Sequence, residues 1–238
     1  MTSLSMAWTL GLAWMAGLSI PAGALISSNV ELRSACLRMK LDSFVSYFGG
    51  GALLAAIALV LIPRGIEDLS VLFVGLAFGT GGLVFWQFSA WAERTHNSAA
   101  QFVGMLLDFF PEAILLGALA ASGSNMVYLL AGLIALQNLP EGFAAYIEMQ
   151  ENMSSRSRLL MLFLAVSMVG PLAAWLGFVW FSSSEFILAI VLLFCSGGIL
   201  YLIFEDIAPH AHSESNSFPA LGAICGFLLG LVGTMLIH

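Results

Sequence analysis

Long apolar runs alternate with short polar connections along the chain. Eight of the runs are about 20 residues long, the length that a helix needs to cross the hydrocarbon core of a bilayer. The connections are too short for a soluble domain. The pattern predicts an all-α integral membrane protein of eight transmembrane helices that forms a single domain over residues 1–238. The predicted spans are residues 4–26, 44–63, 71–92, 101–122, 125–147, 159–181, 186–208 and 218–237.

The composition agrees with a membrane protein and excludes other classes. Hydrophobic residues make up 60% of the chain and charged residues 9%, whereas a soluble domain carries about 25% charged residues. No basic patch is present, so nothing supports binding of nucleic acid. The three cysteines have no paired spacing, which argues against a disulfide framework or a thiolate metal site. The first apolar run is too long for a typical signal peptide, so we expect it to be retained as a span.

Basic residues indicate how the chain is oriented. Six of the seven fall in odd-numbered loops, and Arg64 alone falls in an even-numbered loop. Because cytoplasmic loops carry an excess of Lys and Arg, we expect the odd loops in the cytoplasm. Both termini then lie on the extracytoplasmic side of a cell membrane. The six residues are Arg33, Arg38, Lys40, Arg94, Arg156 and Arg158.

The fourth and fifth predicted spans each contain a Pro-Glu pair among polar residues. No Lys or Arg lies within either span to neutralise the acids. Ionisable groups are costly in hydrocarbon, so the default interpretation is an ion pathway. Each proline also frees the backbone carbonyl one turn earlier, at Leu107 and Leu136. The segments are Asp108-Phe-Phe-Pro111-Glu112 and Gln137-Asn138-Leu-Pro140-Glu141.

Helical spacing places these polar side chains on common faces. Asp108 and Glu112 are four residues apart, as are Gln137 and Glu141, and Asn138 precedes Glu141 by three. If the two helices pack together, five oxygen-bearing side chains converge, and such ligands suit a divalent metal ion. A structural polar cluster is the alternative. Since the two spans run in opposite directions, the similar motifs also suggest an inverted repeat.

A second acidic group ends the seventh predicted span on its cytoplasmic side. Glu205 and Asp206 are followed by His210 and His212. These side chains would be able to pass an ion to the cytosol, or they form a solvated helix end, and the sequence leaves both open. Elsewhere the chain has no HExxH, GxSxG or Walker motif, so we predict that it is not an enzyme.

The polar motifs resemble those of the ZIP family of divalent metal transporters. The fifth-span segment is similar to the family signature [HQ]-[ND]-x-P-E-G-x-A, and the fourth-span segment resembles the preceding HNxPEG motif. The seventh-span acidic pair before a proline is also similar to the family's seventh span. By topology, the resemblance covers nearly the whole chain. The matching segments are Gln137-Asn138-Leu-Pro140-Glu141-Gly142-Phe-Ala, Asp108-Phe-Phe-Pro111-Glu112-Ala and Gly197-Gly-Ile-Leu-Tyr-Leu-Ile-Phe-Glu205-Asp206-Ile-Ala-Pro209.

The resemblance implies a binuclear-type site between the fourth and fifth spans and transport of Zn²⁺, Mn²⁺, Fe²⁺, Co²⁺ or Cd²⁺ into the cytoplasm, with no prosthetic group. It further implies homodimers in the bilayer and an elevator-like motion of the first, fourth, fifth and sixth spans against the others. Glu205 and Asp206 match residues of the cytoplasmic exit. The positions that match metal ligands are Asp108, Glu112, Gln137, Asn138 and Glu141.

Several positions depart from the family pattern. Asp108 stands where the family has His, Phe109 where it has Asn, Ala113 where it has Gly, and Gly170 where the sixth span has Glu. Loss of the Asn and the Glu leaves the number of bound ions open. Loss of the His makes the site richer in oxygen, which favours Mn²⁺, Fe²⁺ or a broad range over strict preference for Zn²⁺.

Two other functions remain compatible with the sequence. The same carboxylates would serve as a protonation relay in a proton-linked carrier of another solute. Alternatively, the chain is a metal sensor or assembly subunit that keeps the scaffold but does not transport, which the departures from the family pattern allow.

Overall fold

The computed structural model describes residues 5–29, 35–67, 69–94, 100–150, 155–181, 184–209 and 220–237. Within these ranges, all regular secondary structure is helical. The prediction of an all-α protein is therefore confirmed for the part of the chain that the structure describes.

Seven described helical stretches are long and apolar enough to cross a membrane. An eighth apolar helix, Ala220–Ile237, follows them, and its apolar stretch Ala220–Leu236 is shorter than the others. The seven stretches match the first seven predicted spans to within a few residues, while the eighth span and the inverted repeat stay predictions. The seven are Met6–Asn29, Ser43–Ile66, Val71–Trp91, Gly104–Ala121, Met126–Gln150, Arg156–Trp180 and Glu185–Glu205.

The first and sixth spans are each broken into two helices. The first span turns at Leu18, and the sixth turns at Ser167 and Met168. The four helices are Met6–Gly17, Ser19–Asn29, Arg156–Val166 and Val169–Leu176.

A proline follows each break. Pro21 lies in the helix after the first break and Pro171 in the helix after the second. Proline has no N–H, so the carbonyls four residues earlier, at Gly17 and Ser167, lose the donor that an unbroken helix would supply.

Wider π-helical turns extend three of the spans. They follow the main helix of the second, sixth and seventh spans, and the second span then continues as a short α-helix, Ile62–Ile66. The π-helical turns are Ile57–Leu61, Gly177–Phe181 and Ile203–Ile207. The remaining main helices are Ala35–Ala56, Val71–Arg94, Ala100–Ala121, Met126–Gln150 and Glu185–Leu202.

The fourth and fifth spans form a tight antiparallel hairpin. The fourth span ends with Gly123 at a φ of 72°, a left-handed conformation that glycine adopts without a steric penalty. The N–H of Gly123 bonds to the Ala120 carbonyl and that of Ser124 to the Leu119 carbonyl, each at 3.1 Å. These bonds satisfy the last carbonyls of the helix and turn the chain back sharply. The two Pro-Glu motifs are thereby placed on neighbouring helices.

The helices pack as two groups. The first, fourth, fifth and sixth spans pack mainly on one another, as do the second, third and seventh spans with the helix Ala220–Ile237. The groups meet chiefly where the fifth span packs against the second, and also where the seventh meets the fourth. The hairpin with the Pro-Glu motifs therefore lies at the boundary between the groups.

Close backbone contact holds the first and fifth spans together. A β-carbon added at Gly142 would collide with the carbonyl oxygen of Ile20, and one added at Gly23 would collide with the carbonyl oxygen of Leu139. Glycine at both positions allows the helix axes to approach closely, as small residues do in membrane helix pairs. This contact fixes the rotation of the fifth span and hence the direction in which its polar face points.

Candidate functional site

The site begins with a hydrogen bond between the fourth and fifth spans. The Gln137 Nε2 donates to Glu112 Oε2, and both side chains are almost completely inaccessible to solvent. Pro111 directly precedes Glu112, and Pro140 directly precedes Glu141. Both prolines lie inside continuous helices. The structure thus brings Glu112 of the fourth span into contact with Gln137 of the fifth.

Several buried polar atoms near this bond have no partner in the described part of the chain. They belong to Glu112, Gln137, Asn138 and Glu141, and Asn138 lacks a partner at both amide atoms. A buried polar group left without a hydrogen bond destabilises a fold by about 1–3 kcal/mol. Atoms of this kind are open to a hydrogen bond or coordination from water or from an ion. The atoms are Glu112 Oε1, Gln137 Oε1, Asn138 Nδ2, Asn138 Oδ1 and Glu141 Oε2.

Three carboxylates share this region. Asp108 is 5% exposed and lies one turn before Glu112, and the half-buried Glu141 is close enough for the charges of both to act on it. Like charges held together in a medium of low dielectric repel one another strongly. A bound cation, or protonation of the acids, would remove that repulsion.

Two of the basic side chains that the structure describes, Arg64 and Arg156, are engaged elsewhere. Arg64 forms a salt bridge of 2.7 Å with Glu67, and Arg156 donates to Ser28 Oγ at 3.0 Å and to Asn29 Oδ1 at 2.6 Å. The described hydrogen bonds of these two cations do not involve Glu112 or Glu141. The positive charge that the acids attract is therefore not supplied by these two residues.

The acids do not form a closed coordination shell on their own. Within the described ranges, no group of three or more His, Cys, Asp and Glu side chains is placed to hold a metal ion. Gln137 and Asn138 would offer amide oxygens, whereas the acids would offer carboxylate oxygens. Convergence of all five predicted ligands on one ion stays a prediction.

The second predicted acidic group lies apart from the first. Glu205 lines a shallow, open depression on the surface of the seventh span together with Gly197, Leu200, Tyr201 and Phe204. Its Oε2 atom is buried and has no hydrogen-bond partner in the described structure. The backbone of Asp206 belongs to the π-helical turn Ile203–Ile207, but its side chain lies outside the described residues, as do His210 and His212.

Two residues at the site were not identified as site residues from the sequence. Cys195 of the seventh span is buried close enough to Glu112 and Asp108 to feel their charges. Phe109 is fully buried and packs beside Gly17 and Gly170. No spacing in the sequence identifies Cys195. Phe109 and Gly170 were identified as departures from the family pattern, but the sequence does not indicate that they are in contact.

Part of the chain is similar to a known metal transporter. The chain is 34% identical over 139 residues to the zinc transporter GufA of Myxococcus xanthus. The match covers 57% of this chain and 55% of that protein, so the chain spans little more than half the length of the relative it matches. No family model matches the chain. What these findings establish is a multi-pass helical membrane protein that is similar to a zinc transporter over part of its length.

Proposed function

We propose that the protein transports divalent metal cations into the cytoplasm through the polar site between the fourth and fifth spans. The observation that carries this proposal is the group of buried, unpartnered oxygens on Glu112, Gln137, Asn138 and Glu141. The similarity to a zinc transporter over 139 residues supports it. The protein is then a ZIP-like carrier of a single transmembrane domain and not an enzyme.

The chemistry of the ligands favours hard or borderline divalent ions. Carboxylate and amide oxygens suit Mn²⁺ and Fe²⁺, and they also bind Zn²⁺, whereas thiolates or imidazoles would select softer ions. We propose Zn²⁺, Mn²⁺, Fe²⁺ or a broad range as substrates. The ligands are Asp108, Glu112, Gln137, Asn138 and Glu141.

Movement of the ion requires the site to open alternately to each side. The two packing groups meet at the fifth span, which carries Gln137, Asn138 and Glu141. We propose that the first, fourth, fifth and sixth spans move as a body against the other group, in a homodimer in the cell membrane. Glu205 and Asp206, on the opposite group, would receive the ion on the cytoplasmic side.

The test is a metal-uptake panel in a host that lacks its own divalent metal transporters. Wild-type protein should carry Mn²⁺ or Fe²⁺ in competition with Zn²⁺, and transport of Zn²⁺ alone would contradict the oxygen-rich selectivity. Glu141→Ala and Glu112→Ala should reduce uptake to the level of the empty host at unchanged expression. Glu67→Ala is the matched control, because that acid is exposed and paired with Arg64.

Three outcomes separate the proposal from its alternatives. Unchanged uptake in Glu141→Ala would remove the proposed site. Uptake of another solute that depends on pH, with no bound metal, would indicate a proton-linked carrier. Metal binding without flux would indicate a sensor or assembly subunit.

A further inference from the structure

Phe109 directly follows Asp108 and lies at the meeting point of three spans. Its side chain is completely buried. A β-carbon added at Gly17 of the first span would lie 2.9 Å from Phe109 Cζ, and one added at Gly170 of the sixth span would lie 2.6 Å from the same atom. Both distances are shorter than ordinary carbon contacts. The tip of the ring is therefore wedged between two positions that have no side chain.

Both glycines lie at the breaks in their helices. Gly17 is the last residue before the turn at Leu18, and Gly170 is the second residue of the helix after the turn at Met168. The prolines beyond the breaks deprive two carbonyls, those of Gly17 and Ser167, of their usual helical donors. Broken helices with freed carbonyls provide ion ligands in transporters, so the ring lies where backbone oxygens are available.

The Phe109 ring has little room to move. A β-carbon at Gly17 would also lie 2.8 Å from the Ser167 carbonyl oxygen, and one at Gly170 would lie 2.7 Å from the Ala13 carbonyl oxygen. The first and sixth spans thus touch through their backbones on either side of the ring. A close-packed interior does not admit an ion without displacing atoms.

We infer that the Phe109 ring fills the space beside Asp108 in which a second cation would be coordinated, so that the site binds one ion at a time. The inference rests on the proposed function and deepens it. An aromatic ring removes volume and supplies no oxygen, and the glycines opposite it supply no side-chain ligand. Phe109 is accordingly the residue that determines how many ions the site binds.

The number of ions bound per chain tests the inference. Purified full-length protein in detergent is equilibrated with Mn²⁺ and, separately, with Cd²⁺, and the bound metal is measured by mass spectrometry. Wild-type protein should bind one ion, and Phe109→Asn, which opens the space and adds an oxygen, should bind two. Phe109→Leu adds no ligand and should bind one. Phe110→Asn is the matched control, because Phe110 is 42% exposed on the outer face, and it should bind one.

Each result decides the matter. Two ions in wild-type protein, or one ion in folded Phe109→Asn, would contradict the inference about Phe109. The transport proposal would be unaffected, because the Glu141 variants test it separately. If Phe109→Asn does not fold, Phe109→Ser, which also opens the space and adds an oxygen, is counted in its place and should bind two ions. No bound ion in wild-type protein, together with uptake that Glu141→Ala does not change, would contradict the proposed function and, with it, the inference about Phe109.

Discussion

At the scale of single residues, the contact between Glu112 and Gln137 determines the character of the site. It leaves one oxygen of each side chain without a partner, since the bond uses Glu112 Oε2 and the Gln137 amide nitrogen. The amide holds the carboxylate in place while the remaining oxygens stay available. If the site binds a cation as proposed, this bond would hold two of its side chains in position beforehand and reduce the ordering that binding requires.

Gln137→Leu should lower the free energy of unfolding, because it leaves Glu112 Oε2 buried without its donor. A buried acceptor left without its donor costs about 1–3 kcal/mol, and we expect a loss in that range in metal-free detergent solution. The measurement is chemical denaturation. Gln87→Leu is the control, because Gln87 is exposed and its replacement should have little effect.

A double-mutant cycle shows whether the contact itself is responsible. Glu112→Leu, which removes the acceptor, combined with Gln137→Leu should cost less than the sum of the two single changes, by about 0.5–3 kcal/mol, as expected for residues in contact. Purely additive effects would show that the two side chains do not interact in solution.

The acids and amides of the site were predictable from the sequence, whereas the surroundings were not. Glu112 and Gln137 were identified because charged and amide side chains in an apolar run need a reason to be there. Cys195 was overlooked, since a small apolar residue in an apolar span carries no signal. The contact of Phe109 with Gly170 depends on how the fourth and sixth spans pack, and spacing along one helix contains no information about another.

At the scale of helices, the close approach of the first and fifth spans sets the geometry of the site. The backbone carbonyl of Ile20 lies against Gly142, one residue after Glu141. Any side chain at Gly142 would push the two helices apart and move Glu141 with the fifth span. The precise placement of the acid therefore depends on a residue that has no side chain.

Gly142→Ala should destabilise the protein, since the added methyl group collides with the Ile20 carbonyl. Overpacking of this kind costs about 1–3 kcal/mol, and we expect a lower midpoint of thermal unfolding in detergent. Gly132→Ala on the same helix is the control, because nothing lies within 4 Å of a β-carbon there. A similar loss in both variants would mean that the effect is not due to the contact.

Helix positions were predicted more accurately than helix interruptions. The apolar runs gave the first seven spans because length and hydropathy are properties of the local sequence. The breaks at Leu18 and Met168 were not predicted, although Pro21 and Pro171 lie close to them. Pro111 and Pro140 are carried within continuous helices, so proline alone does not distinguish a break from a tolerated position.

At the scale of the molecule, orientation in the membrane is the property that the helix bundle alone does not determine. The distribution of basic residues predicts that the loop before the sixth span is cytoplasmic and that the loop before the third is outside. Ser155 and Ser70 lie in these two loops and are described in the structure. Both are suitable positions for chemical labelling.

Single cysteines at these positions test the orientation. In a chain whose native cysteines are replaced by Ala, Ser70→Cys should react with a membrane-impermeant maleimide in intact cells. Ser155→Cys should react only after the cells are permeabilised. The reverse pattern would place both termini in the cytoplasm and would reverse the direction assigned to the two acidic groups.

The order of neighbours in space differs from their order along the chain. The second span packs chiefly against the helix Ala220–Ile237, and the Tyr47 hydroxyl donates to the Ala208 carbonyl at 3.1 Å across 161 positions of sequence. Contacts between distant segments form slowly, because the intervening chain must first be brought together. Because these contacts join segments made at different times, we expect the second span to enter the membrane before its main neighbour has been synthesised. Assembly of that half of the bundle should then be a late event in biogenesis.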